Sequence, residues 1–176
     1  GMRLDLGGVA KLPILAAGLQ ALQAHGVRRA LLDGGGDVLA LGHDTDTPWQ
    51  IGLRDPLRPE RLLAVLPLRR GVVASSGDYE RGWTLDGRRY HHVLDPHTGY
   101  PSQGVHGVSL VADSVDAVNG LGATAMVLGP VRGPDWLTAR APQALLQRAD
   151  GRLWVSPSLA ARLRPPPGQD HIRGLA

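Results

Sequence analysis

Apolar side chains near the start of the chain recur three or four positions apart, which is the spacing of one face of a helix. In residues 9–25 this spacing runs from Ile14 to Leu22, with Pro13 in the first turn and Gly26 after the last. Proline fits the first turn of a helix, where its missing N–H has no partner to lose, and glycine often ends one. The pattern predicts an amphipathic helix over residues 9–25.

Short apolar or alternating runs follow this helix, and such runs, bounded by turn-forming residues, are typical of β-strands. The dipeptide Asp86-Gly87 lies between two of them and is the strongest hairpin signal in the chain, because both residues tolerate the positive φ of a tight turn. Strands are predicted at residues 28–33, 37–42, 49–54, 62–68, 71–75, 79–85, 88–94, 105–112 and 153–155.

Two further helices are expected in the second half of the chain. Residues 114–128 lack the charges of a surface helix and predict a buried one. Residues 135–149 predict an amphipathic helix interrupted by Pro142, and the proline-rich residues 165–176 predict a loose tail. Without a repeat or a linker, residues 1–176 indicate a single domain. The expected fold class is α+β (mixed α/β), with an antiparallel-biased sheet covered on one side by helices.

Composition narrows the classes of function. The chain has 176 residues, of which 43% are hydrophobic and 20% charged, as in an ordinary globular domain. It has no cysteine, so disulfides, thiolate catalysis and cysteine metal ligands are excluded. The net charge of +3 comes from scattered arginines, and aromatic residues make up only 4%, so no nucleic-acid partner is expected. No apolar run is long enough to predict a membrane span.

The segment LLDGGGD places three glycines, Gly34 to Gly36, between two predicted strands. A glycine backbone can turn sharply there and offer its amide groups to an anion or to the edge of a ring. The spacing is not a dinucleotide-binding fingerprint, because that motif leads into a helix and here a strand follows at once. A tight hairpin in which Asp37 caps its own turn is the alternative interpretation.

The segment VVASSGDYERGW leads from a predicted strand into small polar residues and then into Asp78, Tyr79 and Glu80. Small side chains allow a ligand to approach closely, so this segment suits a loop at the edge of a cleft. A local turn stabilised by the hydroxyl groups of Ser75 and Ser76 is the alternative.

The segment YHHVLDPHTGYP gathers acid, base and hydrogen-bonding groups beside turn-forming residues. They are His91, His92, Asp95, His97 and Thr98. Neighbouring side chains of a strand face opposite sides, so only one of His91 and His92 is expected to face a site. A zinc site is the alternative, although these histidines lack a recognised ligand spacing.

Six segments between residues 5 and 129 together resemble the ApbE family, in the order and spacing of that family. The segments are DLGGVAK at 5–11, LLDGGGD at 31–37, PWQIGLRDP at 48–56, ASSGDYER at 74–81, RRYHHVLDPHTGYP at 88–101 and the run to MVLG at 126–129. Each is a weak signal alone, but six in sequence are not expected by chance.

ApbE proteins are FAD:protein FMN transferases, which cleave FAD, attach FMN through a phosphoester to a threonine of a partner protein, use magnesium and release AMP. The resemblance therefore implies FAD and Mg²⁺ as cofactors, an acceptor protein as partner, and His92 and Asp95 as catalytic groups. It also implies that the flavin nucleotide is bordered by Gly35, Gly36, Asp37, Ser76, Gly77, Asp78 and Tyr79. For these residues to meet, the loops at 34–37, 75–79 and 95–99 must converge on one cleft.

The metal ligands that the resemblance implies are altered in this chain. The family has D-A-L-A-T in the helix before VLG, and its aspartate and threonine lie one helical turn apart and both reach the metal. Counting back from Val127 places Asn119 and Ala123 at these positions, and a shift of one residue recovers Thr124 but not the carboxylate. The backbone carbonyl of Ala10 corresponds to the third protein ligand. We therefore expect magnesium binding to be weakened or lost.

Two functions follow from the resemblance. The N-terminal region that helps family members to enclose FAD is expected to be missing, so the chain is either an FMN transferase, alone or with a separately encoded N-terminal half, or a non-catalytic flavin-binding or structural relative. A third reading makes Gly122-Ala123-Thr124 an acceptor site, although a buried helix would hide it. Family members are often periplasmic or membrane-anchored lipoproteins; this chain has no such signal, and its compartment stays open.

Overall fold

The computed structural model describes residues 6–79, 82–141 and 143–174. Within these residues it contains three helices and ten strands. In chain order, the elements are α1 (Lys11–Ala24), β1 (Ala30–Asp33), β2 (Val38–Leu41), β3 (Trp49–Asp55), β4 (Arg58–Leu68), β5 (Gly71–Gly77), β6 (Gly82–Leu85), β7 (Arg88–His91), β8 (Val105–Ala112), α2 (Leu121–Thr138), β9 (Ala144–Arg148), β10 (Leu153–Val155) and α3 (Pro157–Ala160).

Six strands form one antiparallel sheet in the order β1-β2-β5-β8-β9-β10. The other strands pair in two separate hairpins, β3-β4 and β6-β7. The expected α+β (mixed α/β) class with an antiparallel-biased sheet is confirmed. None of the described helices combines the length and the hydropathy that a membrane crossing requires.

Each face of the main sheet has its own hydrophobic core. On one face, α1 and α2 pack on side chains that include Leu110 and Leu146. On the other face, the β3-β4 hairpin packs on side chains that include Val73, Val111 and Leu145. Because neighbouring residues of a strand point to opposite faces, Leu145 and Leu146 of β9 enter different cores. The two long helices therefore cover one side of the sheet, and the β3-β4 hairpin, with the short helix α3, covers the other.

The buried helix expected at residues 114–128 begins later and ends later than its pattern indicated. Residues 113–120 form bends and turns, and α2 begins at Leu121, after Gly120 with a φ of 77°. The helix then continues to Thr138 through a kink at Gly129. A residue in the left-handed region, which favours glycine, cannot continue a helix. The helix therefore begins only after Gly120, although the apolar pattern begins earlier in the sequence.

The helix predicted over residues 135–149 is wrong in its second half, where β9 forms. Residues 144–147 are all buried, because the two cores cover both faces of this strand. A short apolar run that is buried on both faces shows no alternation, so its periodicity does not distinguish a strand from a buried helix. Pro142, which was expected to interrupt the helix, lies outside the described residues.

The hairpin predicted around Asp86-Gly87 is confirmed. β6 and β7 pair antiparallel across this turn, and φ is 50° at Asp86 and 75° at Gly87. Two successive positive φ values are the geometry of the turn that matches the twist of paired strands. The first strand, predicted from residue 79, starts at Gly82, and Glu80-Arg81 lie outside the described residues.

The C-terminal segment that was expected to be loose lies against the sheet as far as residue 174. Ile172 packs against the core on the β3-β4 side. The carbonyl of Gly174 accepts a hydrogen bond from the N–H of Leu153 at 3.0 Å. This segment therefore contributes to the packing of the domain.

Candidate functional site

A cavity of about 1080 Å³ lies on the helix-covered face of the sheet, between the starts of α1 and α2 and the loops after β1, β5 and β7. Each of the loops at 34–37, 75–79 and 95–99 contributes at least one residue to the lining of this cavity. The three loops therefore converge on one cleft. Its polar lining includes Lys11, Asp37, Tyr79, His92, Asn119 and Thr124, and its apolar lining includes Leu12, Leu110, Val118 and Val127.

The glycine turn after β1 is capped by Asp33, so the alternative in which Asp37 caps it is wrong. The N–H of Gly36 donates to Asp33 Oδ1 at 3.0 Å. Gly35 and Gly36 have φ values of 71° and 92°, which glycine adopts without strain. Gly35 lines the cavity, whereas Gly36 is not part of the lining.

Asp37 is buried in the wall of the cavity, with 5% of its surface exposed. Its Oδ1 accepts the N–H of Ser75 at 2.8 Å, and its Oδ2 pairs with Lys11 Nζ at 2.8 Å. A carboxylate is stable at such a buried position only when its oxygens are paired. Asp37 therefore joins the glycine turn to β5 and to the start of α1, and it holds Lys11 at the cavity.

Asp37→Ala is expected to lower the free energy of unfolding by about 1–3 kcal/mol, mainly because the N–H of Ser75 loses its partner. The contribution of the ion pair is reduced by water, since the Lys11 side chain is 47% exposed. The control is Asp44→Ala, which removes an exposed pair with Arg70 at 4.0 Å and should change stability by less than about 0.5 kcal/mol. Urea unfolding of both variants checks this; equal losses would contradict the role of Asp37.

The end of β5 and the loop that follows it bring three of the four residues implied here to the cavity, namely Ser76 and Gly77 of the strand and Tyr79 of the loop. Asp78 is not part of the lining: it is buried, its Oδ2 accepts His106 Nδ1 at 2.6 Å, and Arg89 Nε lies 3.4 Å away. The backbone carbonyl of Asp78 accepts a second bond from Arg89 at 2.9 Å. Asp78 therefore anchors this loop to β7 and β8, which positions the neighbouring Tyr79.

His91 and His92 have different surroundings, although the strand predicted over residues 88–94 ends at His91 and His92 lies in the bend that follows. His91 is 5% exposed; its Nε2 donates to the carbonyl of Ser102 at 2.8 Å, and its Nδ1 accepts the N–H of Val93 at 3.3 Å. Both ring nitrogens of His91 are thus used inside the protein, with the proton on Nε2. His92 is exposed and lines the cavity.

Asp95, the second group implied to be catalytic, is bonded within its own turn and is not part of the cavity lining. Its Oδ1 accepts the backbone N–H of His97 at 2.9 Å and contacts His97 Nδ1 at 3.1 Å. The His97 backbone bond, followed by the side-chain bond, lowers the pKa of Asp95 below its ordinary value. The ionised carboxylate therefore stabilises the turn at pH values above the ordinary pKa of an aspartate. This stabilisation is lost as the pH falls through the lowered pKa of Asp95.

Three of the four implied metal ligands are the side chains of Asn119, Ala123 and Thr124, and none of them carries a carboxylate. Asn119 Nδ2 donates to the carbonyl of Val9 at 2.9 Å, and Thr124 Oγ1 donates to the carbonyl of Gly120 at 3.0 Å. Ala123 presents only a methyl group. The amide nitrogen of Asn119 and the hydroxyl hydrogen of Thr124 are therefore engaged in hydrogen bonds to backbone carbonyls within the protein.

The fourth implied ligand, the carbonyl of Ala10, accepts the N–H of Ile14 at 3.3 Å in the first turn of α1. Within the described part of the chain, no group of three His, Cys, Asp or Glu side chains could hold a metal ion. Magnesium is usually held through carboxylate oxygens. These residues therefore do not fit a magnesium ion, and we assign no chemical step to one.

Lys11 is a residue of the site that sequence reasoning missed. It lines the cavity, and its Nζ lies 3.5 Å from the carbonyl of Gly35 and 2.8 Å from Asp37 Oδ2. It is the only lysine of the chain and follows the glycine-containing segment GGVA, which was the signal that could have found it. Its ammonium group gives the cavity a positive charge suited to a phosphate.

Two solved structures resemble this chain in fold. The ApbE protein of Thermotoga maritima has a TM-score of 0.83 and 33% identity, over 92% of this chain and 54% of its own. The flavinyl transferase ApbE of Pseudomonas stutzeri, in its apo form, has a TM-score of 0.75 and 27% identity, over 91% of this chain and 51% of its own. This chain thus spans about half of each structure.

Two curated relatives carry the name FAD:protein FMN transferase. The protein of Rhodobacter capsulatus is 35% identical over 92% of this chain and 31% of its own length. The protein of Treponema pallidum is 38% identical over 73% of this chain and 39% of its own length. The family model described as ApbE family matches residues 1–146. This chain belongs to the ApbE family.

Proposed function

We propose that this chain binds FAD in the cavity and transfers FMN from it to a threonine of an acceptor protein. The observation that carries the proposal is the meeting of Lys11, Tyr79 and His92 around one cavity of about 1080 Å³. Ligand cavities usually have volumes of roughly 300–1,000 Å³, so a dinucleotide has room here. The shared name of the two relatives, FAD:protein FMN transferase, supports the same substrate.

The lining groups suit different parts of FAD. The ammonium group of Lys11 suits the negatively charged diphosphate, and the Tyr79 ring suits the flat face of the flavin or the adenine. The apolar side chains of Val118 and Val127, on the α2 side of the cavity, suit the rest of the ring surface. Asp37 contributes indirectly, because it fixes the position of Lys11.

In the proposed reaction the threonine oxygen bonds to the phosphorus of the FMN half, the bond from that phosphorus to AMP breaks, and AMP leaves with the bridging oxygen. Such a transfer depends mainly on positioning and on stabilising charge. We assign the threonine proton to His92, because Lys11 and Asp37 are paired with each other and His92 is the exposed base of the lining. Asp95 holds the turn that follows His92 and takes no proton.

A second candidate function is flavin-nucleotide binding without transfer. The observation that favours it is the altered wall formed by Asn119, Ala123 and Thr124, which lacks a carboxylate. Both candidates require FAD to bind in the same cavity. They differ only in whether AMP is released when an acceptor protein is present.

FAD binding is tested by fluorescence titration of the purified chain, with Thr124→Trp to fill the cavity. Thr124 is an exposed position of α2 that lines the cavity, so the fold should tolerate a larger side chain there. Val131→Trp is the matched control, because Val131 is 75% exposed on the same helix and is not part of the lining. We expect tenfold or more weaker binding only in Thr124→Trp. Equal affinities in both variants would place the ligand elsewhere.

His92→Gln is expected to lower the rate of FMN transfer by about 10²-fold, because the hydroxyl proton loses its acceptor. The affinity for FAD should stay the same, since glutamine keeps the size and polarity of the side chain. His97→Gln is the control, because His97 is exposed and is not part of the cavity lining. Single-turnover transfer to the acceptor protein measures this effect. An unchanged rate in His92→Gln would remove His92 from the mechanism.

A further inference from the structure

The segment before α1 and the segment before α2 are joined by one side chain. Asn119 Nδ2 donates to the carbonyl of Val9 at 2.9 Å, across 110 positions of sequence. Gly120 lies beside the Val9 side chain at the same place, since a Cβ added to Gly120 would be in van der Waals contact with Val9 Cγ1, at 3.7 Å. Gly8, Asn119 and Gly120 all line the cavity. This hydrogen bond therefore closes one wall of the cavity.

The carbonyl of Val9 determines how the Asn119 amide is oriented. A backbone carbonyl only accepts hydrogen bonds, so the NH₂ end of the amide must face Val9. A divalent cation at this position would need oxygen atoms on both sides of the gap, and here one side presents N–H groups. The partial positive charge of these N–H groups repels a cation and attracts the carbonyl, so the gap is bridged without an ion.

The side chains next to the Asn119–Val9 hydrogen bond also do not favour a bound cation. Lys11 lies two positions after Val9, and its ammonium group already pairs with the buried carboxylate of Asp37 in the cavity lining, so this carboxylate is not left free to attract a second cation. Ala123 offers no side-chain oxygen, and the hydroxyl hydrogen of Thr124 is used in a bond to Gly120 at 3.0 Å. In this wall the Asn119 amide and the Thr124 hydroxyl therefore each donate to a backbone carbonyl, and Asn119, Ala123 and Thr124 supply no carboxylate to attract a cation.

We propose that the Asn119–Val9 hydrogen bond replaces a metal ion as the link between the starts of α1 and α2, so that the cavity forms and binds its ligand independently of Mg²⁺. The statement about the ligand rests on the proposed FAD binding. The statement about the link does not, and it can be tested on the ligand-free chain. An aspartate at position 119 would face the Val9 carbonyl with a like partial charge and would need a cation between them.

Thermal unfolding of the ligand-free chain tests the link, with EDTA compared to millimolar Mg²⁺ and with NaCl of equal ionic strength as the control. The Tm of the wild-type chain is expected not to change with Mg²⁺. Asn119→Ala should lower the Tm by roughly 2–8 °C under both conditions, because the carbonyl loses its donor. Asn119→Asp should lower the Tm in EDTA and regain it with Mg²⁺. A wild-type Tm that rises with Mg²⁺, or an Asn119→Asp Tm that does not, would contradict the proposal.

The affinity for FAD tests the second half of the proposal. The Kd of the wild-type chain should agree within about twofold between EDTA and Mg²⁺, whereas Asn119→Asp should bind FAD more tightly with Mg²⁺. A wild-type Kd that improves tenfold or more with Mg²⁺ would overturn the proposal. Absence of FAD binding under both conditions would instead contradict the proposed function, and the Tm measurements would then decide on the link by themselves. If Asn119→Asp does not fold, the wild-type and Asn119→Ala measurements decide.

Discussion

Asn119→Asp combined with Ala123→Thr is expected to raise magnesium-dependent AMP release from FAD by about 10²–10³-fold over the slow release expected of the unmodified chain. The reason is electrostatic: the diphosphate of FAD carries negative charge that increases on the leaving AMP, and a neutral amide holds a hard cation far less well than a carboxylate. The substitutions restore the two oxygen ligands that the family pattern has at these positions. The measurement is AMP release in the presence of an acceptor protein.

Ala123→Thr alone is the control for this experiment, because it adds a hydroxyl group without a charge. We expect it to change AMP release little, since the carboxylate supplies most of the attraction for Mg²⁺. Fast magnesium-dependent turnover by the unmodified chain would refute the interpretation of an altered metal site. It would leave the assignment as a transferase standing.

Leu146→Ala is expected to destabilise the chain by roughly 2–5 kcal/mol, which lowers the Tm by about 4–20 °C in a protein of this size. Leu146 is fully buried under α2, and a Cβ added to Gly133 would lie only 3.3 Å from its Cδ1. The truncated side chain would leave a cavity that this close packing cannot fill. Thermal or urea unfolding measures the loss.

Leu145→Ala should cost a similar amount, because Leu145 is 2% exposed and packs in the core on the opposite face. Leu85→Ala on the exposed hairpin is the control and should stay within about 0.5 kcal/mol of the wild type, since Leu85 is 56% exposed. If only one of Leu145→Ala and Leu146→Ala lowered the stability, this result would contradict the placement of β9 between two cores.

Several features of the fold and the site could be predicted because they depend on residues close together in sequence. Asp86-Gly87 specifies its hairpin through the φ values that its own residues adopt. Adjacent residues were enough to predict that only one of His91 and His92 faces the cavity, and the resemblance to the family selected His92, which lines it. The glycines at 34–36 indicated a sharp turn, although not which aspartate caps it.

Other features could not be predicted because their causes lie far away in sequence. Residues 144–148 form a strand because cores on both faces bury them, and the apolar run by itself equally suits a helix. Asp78 is withdrawn from the cavity by His106, which is 28 positions away. The partner of Asn119 is 110 positions away. No local pattern contains information about such partners.

By itself the sequence determined the family, the fold class, the absence of a carboxylate at positions 119 and 123, and the three loops to examine. These follow from residue identity, from short spacings and from the order of the motifs. Only the tertiary structure decided that Lys11 and Asp37 form an ion pair at the cavity. It also decided that Asp78 and Asp95 stabilise the loops in which they lie, and that Asn119 donates a hydrogen bond to Val9. The physical reason is that a polar side chain takes its role from the partner that folding brings within about 3 Å.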